Sequence, residues 1–423
     1  MTTKPVPLSL ACLLLLTGVV HAQDWAKPSI GSPPRLDLRD LGYPLINEVP
    51  VNSSAITALV THRDGKIYGG TSGEEAYLLV FDPTINKVRH LGKIPGQEGI
   101  HHTLVSGEDC LYVGTGLNML QPLELTAGTP GGGKIDELLW KDIERRFQGD
   151  PGGHLYCYRP AKSSGKVKLP SMACELEDLG IPVPHNAIYA LEIHGTEIYG
   201  LSYPDGHFWV YDLHAKRFTD VGPVDQERVF HGPERDWRSL PRALLYVPDA
   251  EGGSVLTSGT GGRLVRYRRS TGKIEATPLQ VPGDYNHVQF YTDHAVIECL
   301  VQHPSGLVYG GSCDGYLFSL DPAKMKLVNL GKPRAARRIR CLSAGRDGKL
   351  YLMAGERVAS QPCQFYGYDP QQGGFEDLGL LVVDRSPYYY WRGFQFDAMA
   401  AGRDGTIYLG ESERKSHLFL FFP

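Results

Sequence analysis

The sequence predicts an all-β fold, a seven-bladed β-propeller, on three observations. A Gly/Asp turn followed by one variable residue and an apolar pair recurs seven times, clearest as Asp64-Gly65-Lys66-Ile67-Tyr68, Asp347-Gly348-Lys349-Leu350-Tyr351 and Asp404-Gly405-Thr406-Ile407-Tyr408. Each copy lies in a group of four short alternating runs, best seen in residues 186–222, where His-Gly, Pro-Asp-Gly and His-Ala-Lys separate the strands. The last group stops after its third run, and the missing fourth, Leu36-Asp37-Leu38-Arg39-Asp40-Leu41-Gly42, stands near the other end of the chain. Four strands per unit of roughly 40 to 55 residues select a propeller. The displaced strand predicts a ring closed by an N-terminal strand that completes the C-terminal blade and removes an open sheet edge.

Residues 1–22 carry Lys4, an apolar core from Leu8 to Val20 and Ala22 before Gln23. That is the pattern of a secretory signal peptide, so the mature chain is expected to be secreted or periplasmic. Residues 23–34 read as a Pro-rich linker and 35–423 as one propeller domain. Blade one spans 55–96, and blade two begins at Ile100. Between the second and third strands of blade two lies an insertion, 117–153, in which Ile135, Leu138, Leu139, Ile143 and Phe147 fall at helical spacing. It predicts one amphipathic helix lying over a face of the disc. The connection Pro223–Pro241 before blade four is long and charged, where a short turn would suffice. Blade five follows Pro282–Phe290, and blade seven, 393–423, follows Asp384–Arg392 with its run Tyr388-Tyr389-Tyr390-Trp391.

Gly (50) and Tyr (23) are abundant, as tight turns and aromatic strands require. A net charge of −4 excludes a general nucleic-acid footprint. Beyond residue 22 no apolar run is long enough for a membrane span. Removing Cys12 with the signal leaves seven cysteines, an odd number without a Cys-x-x-Cys pair, which excludes a disulfide scaffold. Cys157 and Cys174, on neighbouring strands of one blade, are placed to pair.

In a propeller the starts of the inner strands and the turns between second and third strands meet at one mouth of the central funnel, where function is expected. At the inner-strand starts stand His101, His102, His185, Asn186, Arg238, Arg242, His294, Arg337, Arg338 and Arg392; at the turns stand His154, Tyr203, Asp205, His207, Arg263, Cys313 and Asp314. A net-acidic chain that gathers Arg and His there focuses an anionic ligand, and Arg suits a planar carboxylate. Tyr388 to Trp391 fit ordinary propeller packing, the alternative being that Tyr390 and its aromatic neighbours offer a stacking platform for sugar rings. Cys313 and Cys363 with His287 and His294 supply the two thiols and two imidazoles of a tetrahedral structural zinc site, the alternative being unrelated buried cysteines. Glu74, Glu75, Asp205, Asp314 and Asp397 are too scattered for the paired carboxylates of a hydrolase or a calcium site.

The signal, the seven degenerate Asp-Gly-x-Ile-Tyr-Gly blades, His101-His102 opening blade two and Ser202-Tyr203-Pro204-Asp205-Gly206-His207 in blade three resemble the secreted bacterial seven-bladed propeller polysaccharide lyases, in particular the ulvan lyase-like and related uronate lyases. The resemblance implies His and Tyr as base and acid, Arg and a second His neutralising the uronate carboxylate, and in some members a structural zinc. By it, His102 or His101 answers the first histidine, Tyr203 the tyrosine, His154 the second histidine, and Arg242 or Arg238 the arginine. The remaining mouth residues, His185, Asn186, His207, Arg263, Arg338 and Arg392 among them, would bind substrate.

The expected function is therefore β-elimination on a uronic-acid-containing anionic polysaccharide or oligosaccharide by a monomer that needs no cofactor for catalysis. The alternative is a noncatalytic glycan- or protein-binding propeller, since fold alone does not imply a reaction.

Overall fold

The computed structural model describes residues 35–41, 48–118, 145–160, 172–224, 241–249, 251–259, 262–283, 296–335, 338–355, 363–413 and 415–423. They form seven four-stranded antiparallel sheets and one separate two-stranded hairpin. Six sheets are meanders in chain order; blade one, for example, runs Ala55–Thr61, Ile67–Ser72, Ala76–Asp82 and Lys87–Ile94. In the seventh, Leu36–Asp40 lies beside His417–Phe421, with Leu36 opposite Phe421 and Asp40 opposite His417. The propeller and its closing strand are as the repeats predict.

The repeat is written in hydrogen bonds. At the second-strand turn Asp64 accepts from the Lys66 amide at 3.0 Å and from the Tyr68 hydroxyl at 2.9 Å. Asp347 does the same with Lys349 and Tyr351, at 3.2 and 2.6 Å. In the fourth strand Asp178, Asp220 and Asp377 each accept from the amide of the glycine two residues on, at 2.9 Å. Those glycines hold positive φ, 108° at Gly180 and 104° at Gly222, beside a register shift between third and fourth strands.

Blades pack through side chains from facing sheets. A Cβ on Gly70 would lie 2.5 Å from Ile100 of the next blade, and one on Gly410 would lie 2.5 Å from Ile56, across the junction of blades seven and one. Glycine in the second strand is what lets adjacent inner strands approach. Fully buried aromatics such as Trp209, Phe318, Phe365 and Phe419 fill the wedges between sheets.

Two expectations need correction. Cys157 and Cys174 are both buried and share no disulfide. In the ladder between third and fourth strands Cys157 stands opposite Glu177, three residues past Cys174, so adjacent strands alone did not put the two sulfurs together. Nor is the aromatic run before blade seven one exposed platform: Val382–Arg385 and Tyr389–Arg392 pair as a hairpin whose Val383, Tyr389 and Trp391 pack on the core shared with the closing strand. Of the expected helix, residues 145–149 are helical and Phe147 is buried; the rest of that segment, the signal and the linker lie outside the described residues.

Candidate functional site

Five of the seven inner strands carry the same irregularity. Their register with the second strand slips between Ile56/Ala58, Ile188/Ala190, Ile297/Cys299, Ile339/Cys341 and Phe396/Ala398. The residue left out of the ladder is Thr57, Tyr189, Glu298, Arg340 or Asp397. Such bulges re-aim a side chain, and in a ring they do so at one level of the axis.

The polar residues at this level link one blade to the next. Arg242 Nε donates to the Tyr189 hydroxyl at 2.8 Å, and its Nη1 lies 3.4 Å from Glu298 Oε2. Arg338 Nη2 donates to the same carboxylate at 3.0 Å. Arg340 Nε donates to Asp397 Oδ1 at 2.8 Å, and Gln395 donates to the other oxygen at 3.0 Å. An arc of charge thus runs over the inner strands of blades three to seven. His102 faces it from blade two, held in the left-handed region at φ 57° with its amide on Thr57 O at 3.1 Å.

These groups line an axial cavity of about 330 Å³, bounded by residues from all seven inner strands. His102, Glu192, Arg242, Glu298, Arg340 and Asp397 give it charge or titratable groups, and Val60, Leu104, Leu191, Leu244, Leu300, Leu342 and Met399 give it apolar wall. Its size sits at the small end of ligand pockets, roughly 300 to 1,000 Å³.

Burial pushes His102 down to about 3, with Asp397 opposing and Arg242 reinforcing, so the imidazole is neutral at neutral pH. Its Nε2 has no hydrogen-bond partner among the described residues. For Asp397, burial resists ionisation, but Arg340 and then His102 outweigh it and hold the carboxyl below the usual carboxylate range. Glu192 behaves oppositely. It is partly exposed and lines the cavity, and burial pushes it up to about 8, the backbone amides of Ile193 and Tyr246 drawing it back only in part.

Of the residues expected from the sequence, the structure brings His102, Arg242 and Arg338 together on this arc. His101 is buried behind it, Nε2 on Leu117 O at 3.0 Å and pushed down to about 4 by burial. Tyr203 is also buried off the cavity, its ring 5.7 Å from Phe147 and 5.2 Å from Tyr189. His154 and His207 do not line the cavity; each sits at the start of a third strand with Nδ1 2.9 Å from the fourth-strand carboxylate, Asp178 or Asp220. Asn186 spans the Asp205 turn, donating to its carboxylate and accepting from its amide, both at 2.9 Å. His185 is exposed and bonded to Asp150 O at 2.7 Å.

Arg263 is exposed at the start of a third strand, and Arg392 lies over the Phe394 ring at 4.3 Å. Tyr390 is exposed on the hairpin, whereas Trp391 turns inward to Glu411 at 3.1 Å. Cys313 and Cys363 are buried, Cys363 Sγ donating to Gly355 O at 3.2 Å. Arg238, His287, His294 and Arg337 lie outside the described residues. Among the described residues no three His, Cys, Asp or Glu side chains gather to hold a metal.

The sequence reading missed Glu192, Glu298 and Arg340, and took Asp397 for an isolated acid. A signal was present: in Ile297-Glu298-Cys299, Ile339-Arg340-Cys341 and Phe396-Asp397-Ala398 a charge follows the first large apolar residue of a strand that is otherwise apolar. A charge there is costly unless it faces partners across the axis.

No family model matches the sequence, and no curated protein matches it. Among solved structures it is similar to a streptogramin B lyase, at 10% identity and TM-score 0.57, covering 91% of this chain and 97% of that one. It is also similar to a catalytically inactive virginiamycin B lyase from Staphylococcus aureus with quinupristin, at 9% identity and TM-score 0.56, covering 92% and 100%. A third likeness, at 15% identity and TM-score 0.53, is to the extracellular domain of a one component system from B. thetaiotaomicron; it covers 92% of this chain and 40% of that one. At these identities the likeness is one of fold. No described helix is long and apolar enough to cross a membrane.

Proposed function

We propose that this chain is an exported, monomeric carbon–oxygen lyase that cleaves a uronate-containing oligosaccharide, or the end of a polysaccharide, by β-elimination. The observation that carries the reading is the unpartnered Nε2 of His102 in one cavity with the guanidiniums of Arg242 and Arg340. The arginines suit a planar carboxylate. Loss of the C5 proton builds a second negative charge on that carboxylate, and fixed cations nearby stabilise it in the transition state more than in the ground state.

His102 is neutral at working pH and so can accept the C5 proton. The electron pair of that C–H bond forms the C4–C5 double bond as the C4–O4 bond breaks. The imidazolium so formed is disfavoured by its buried, cationic surroundings and returns its proton to the departing oxygen. His102 ends neutral, the products are a free hydroxyl and an unsaturated uronate, and the elimination as written uses no cofactor. A cavity of about 330 Å³ suits one or two sugar rings at a chain end rather than a polymer passing through.

A second reading, a glycan- or protein-binding propeller without turnover, is favoured by the way Glu298 and Asp397 already pair with the arginines. One experiment separates the two. The protein is incubated with uronate polymers and oligomers, with and without divalent metal, and the ultraviolet absorbance of the conjugated product is followed. Product from any of them supports the lyase; binding without product supports the second reading; neither product nor binding with any uronate ends both for this ligand class.

A further inference from the structure

Glu192 lies on blade three three residues beyond Tyr189, roughly 10 Å further along the strand at about 3.3 Å per residue. Tyr189 marks the level of the arginines, because its hydroxyl accepts from Arg242 at 2.8 Å. Glu192 lines the same cavity, whose apolar wall includes Leu191, Leu244, Leu245, Leu300 and Met399. Among the described residues no cation pairs with it, while Glu298 and Asp397, at the arginine level, are paired with guanidiniums.

Resting on the reading that the cavity takes a uronate, we propose that Glu192 is a specificity residue: its protonated carboxyl donates a hydrogen bond to a hydroxyl or ether oxygen of the second sugar of a ligand whose carboxylate is held by Arg242 and Arg340. A carboxyl in an apolar pocket without a cation is cheaper neutral than ionised, and as a neutral acid it donates where an anion could only accept. A single uronic acid held by the arginines does not reach it; a disaccharide does.

The other charged and titratable groups facing the cavity are His102, Arg242, Glu298, Arg340, Asp397 and the thiols of Cys299 and Cys341. His102 stays neutral and Asp397 ionised across the neutral range, and burial holds the two thiols above their ordinary value. Glu192, pushed up to about 8, changes charge there.

The test is calorimetric binding of a uronic acid and of its disaccharide to His102→Ala, which spares the ligand, alone and combined with Glu192→Gln or Glu192→Ala. With Glu192 present the disaccharide should bind about tenfold tighter than the monosaccharide at about pH 6, and the advantage should shrink as pH rises through about 8. Glu192→Gln, which donates at every pH, should keep the advantage and flatten its pH profile; Glu192→Ala should remove it. An equal preference with Glu192 and with alanine, or a preference that ignores pH with Glu192 present, overturns the proposal while leaving the uronate site standing. Failure of either uronate to bind defeats the site itself, and this inference with it. Thermal melting of each variant shows that it folds.

Discussion

Arg340 and Asp397 join the inner strands of blades six and seven by a buried ion pair in which both side chains are almost fully enclosed and Nε donates to Oδ1 at 2.8 Å. An ion pair this deep recovers its desolvation cost only while both partners are present. Arg340→Met should therefore cost about 3 to 5 kcal/mol in urea unfolding, because it strands a buried carboxylate. Arg340→Met with Asp397→Leu should regain most of that stability and still lack turnover, since the carboxylate of the substrate loses its holder. A single variant as stable as the parent would mean that water reaches the pair.

His102→Ala should lower turnover by on the order of 10² or more and leave the melting temperature nearly unchanged. With the imidazole pushed down to about 3, the acid side of the kcat/KM profile should show no fall near the ordinary imidazole value of about 6.5. A limb at about 6.5 would mean that His102 is solvated and ordinary.

Tyr203→Phe should change turnover by less than a factor of about 3, because the ring, tilted against Phe147 and Tyr189, acts through packing. Tyr203→Ala should cost about 3 to 5 kcal/mol in denaturant, as loss of a buried aromatic does. A large kinetic loss in the Phe variant, with stability kept, would restore Tyr203 as the acid that the family resemblance implies.

The ring closure should respond to pH. Burial pulls His417 down, but the Asp40 carboxylate at 3.2 Å and Glu411 at 2.9 Å outweigh it and raise the imidazole above its ordinary value. The hydrogen bond from His417 lowers Asp40. The stability owed to His417 is whole below the ordinary imidazole value and is lost as pH rises through the raised one. That owed to Asp40 is whole above the ordinary carboxylate value and is lost as pH falls through the lowered one. The pair is firmest between about pH 4 and 6.5. Asp40→Asn should shrink the drop in melting temperature between about pH 6 and about pH 9, with Glu411, which burial raises, common to both proteins. An unchanged drop would place the pH response elsewhere.

The blades were legible because each repeats a local hydrogen-bonding rule: Asp64 on Lys66 and Tyr68, Asp178 on Gly180. The displaced Leu36–Asp40 strand could be read for the same reason. The site was legible only where loop-like residues carried it. His102 and Arg242 stand at strand starts, whereas Glu298, Arg340 and Asp397 look like strand interior until the bulges turn them to the axis. His154 and His207 misled because a third-strand start points them to the neighbouring fourth-strand acid. A carboxylate two residues before a glycine, on the strand after the one such a histidine begins, is a repeat of the scaffold and was available in the sequence as that pattern.

The pairing of residues 36–40 with 417–421 also sets an order of assembly. The first strand of the domain to be synthesised has no partner until the last one exists, so six sheets can form while the seventh waits, and the axial cavity, which needs Asp397 and Met399 from that seventh sheet, is the final thing built. Ligand binding therefore reports completion of the whole disc, and excising residues 35–41 should yield a chain rich in β-structure that neither binds nor melts as one unit.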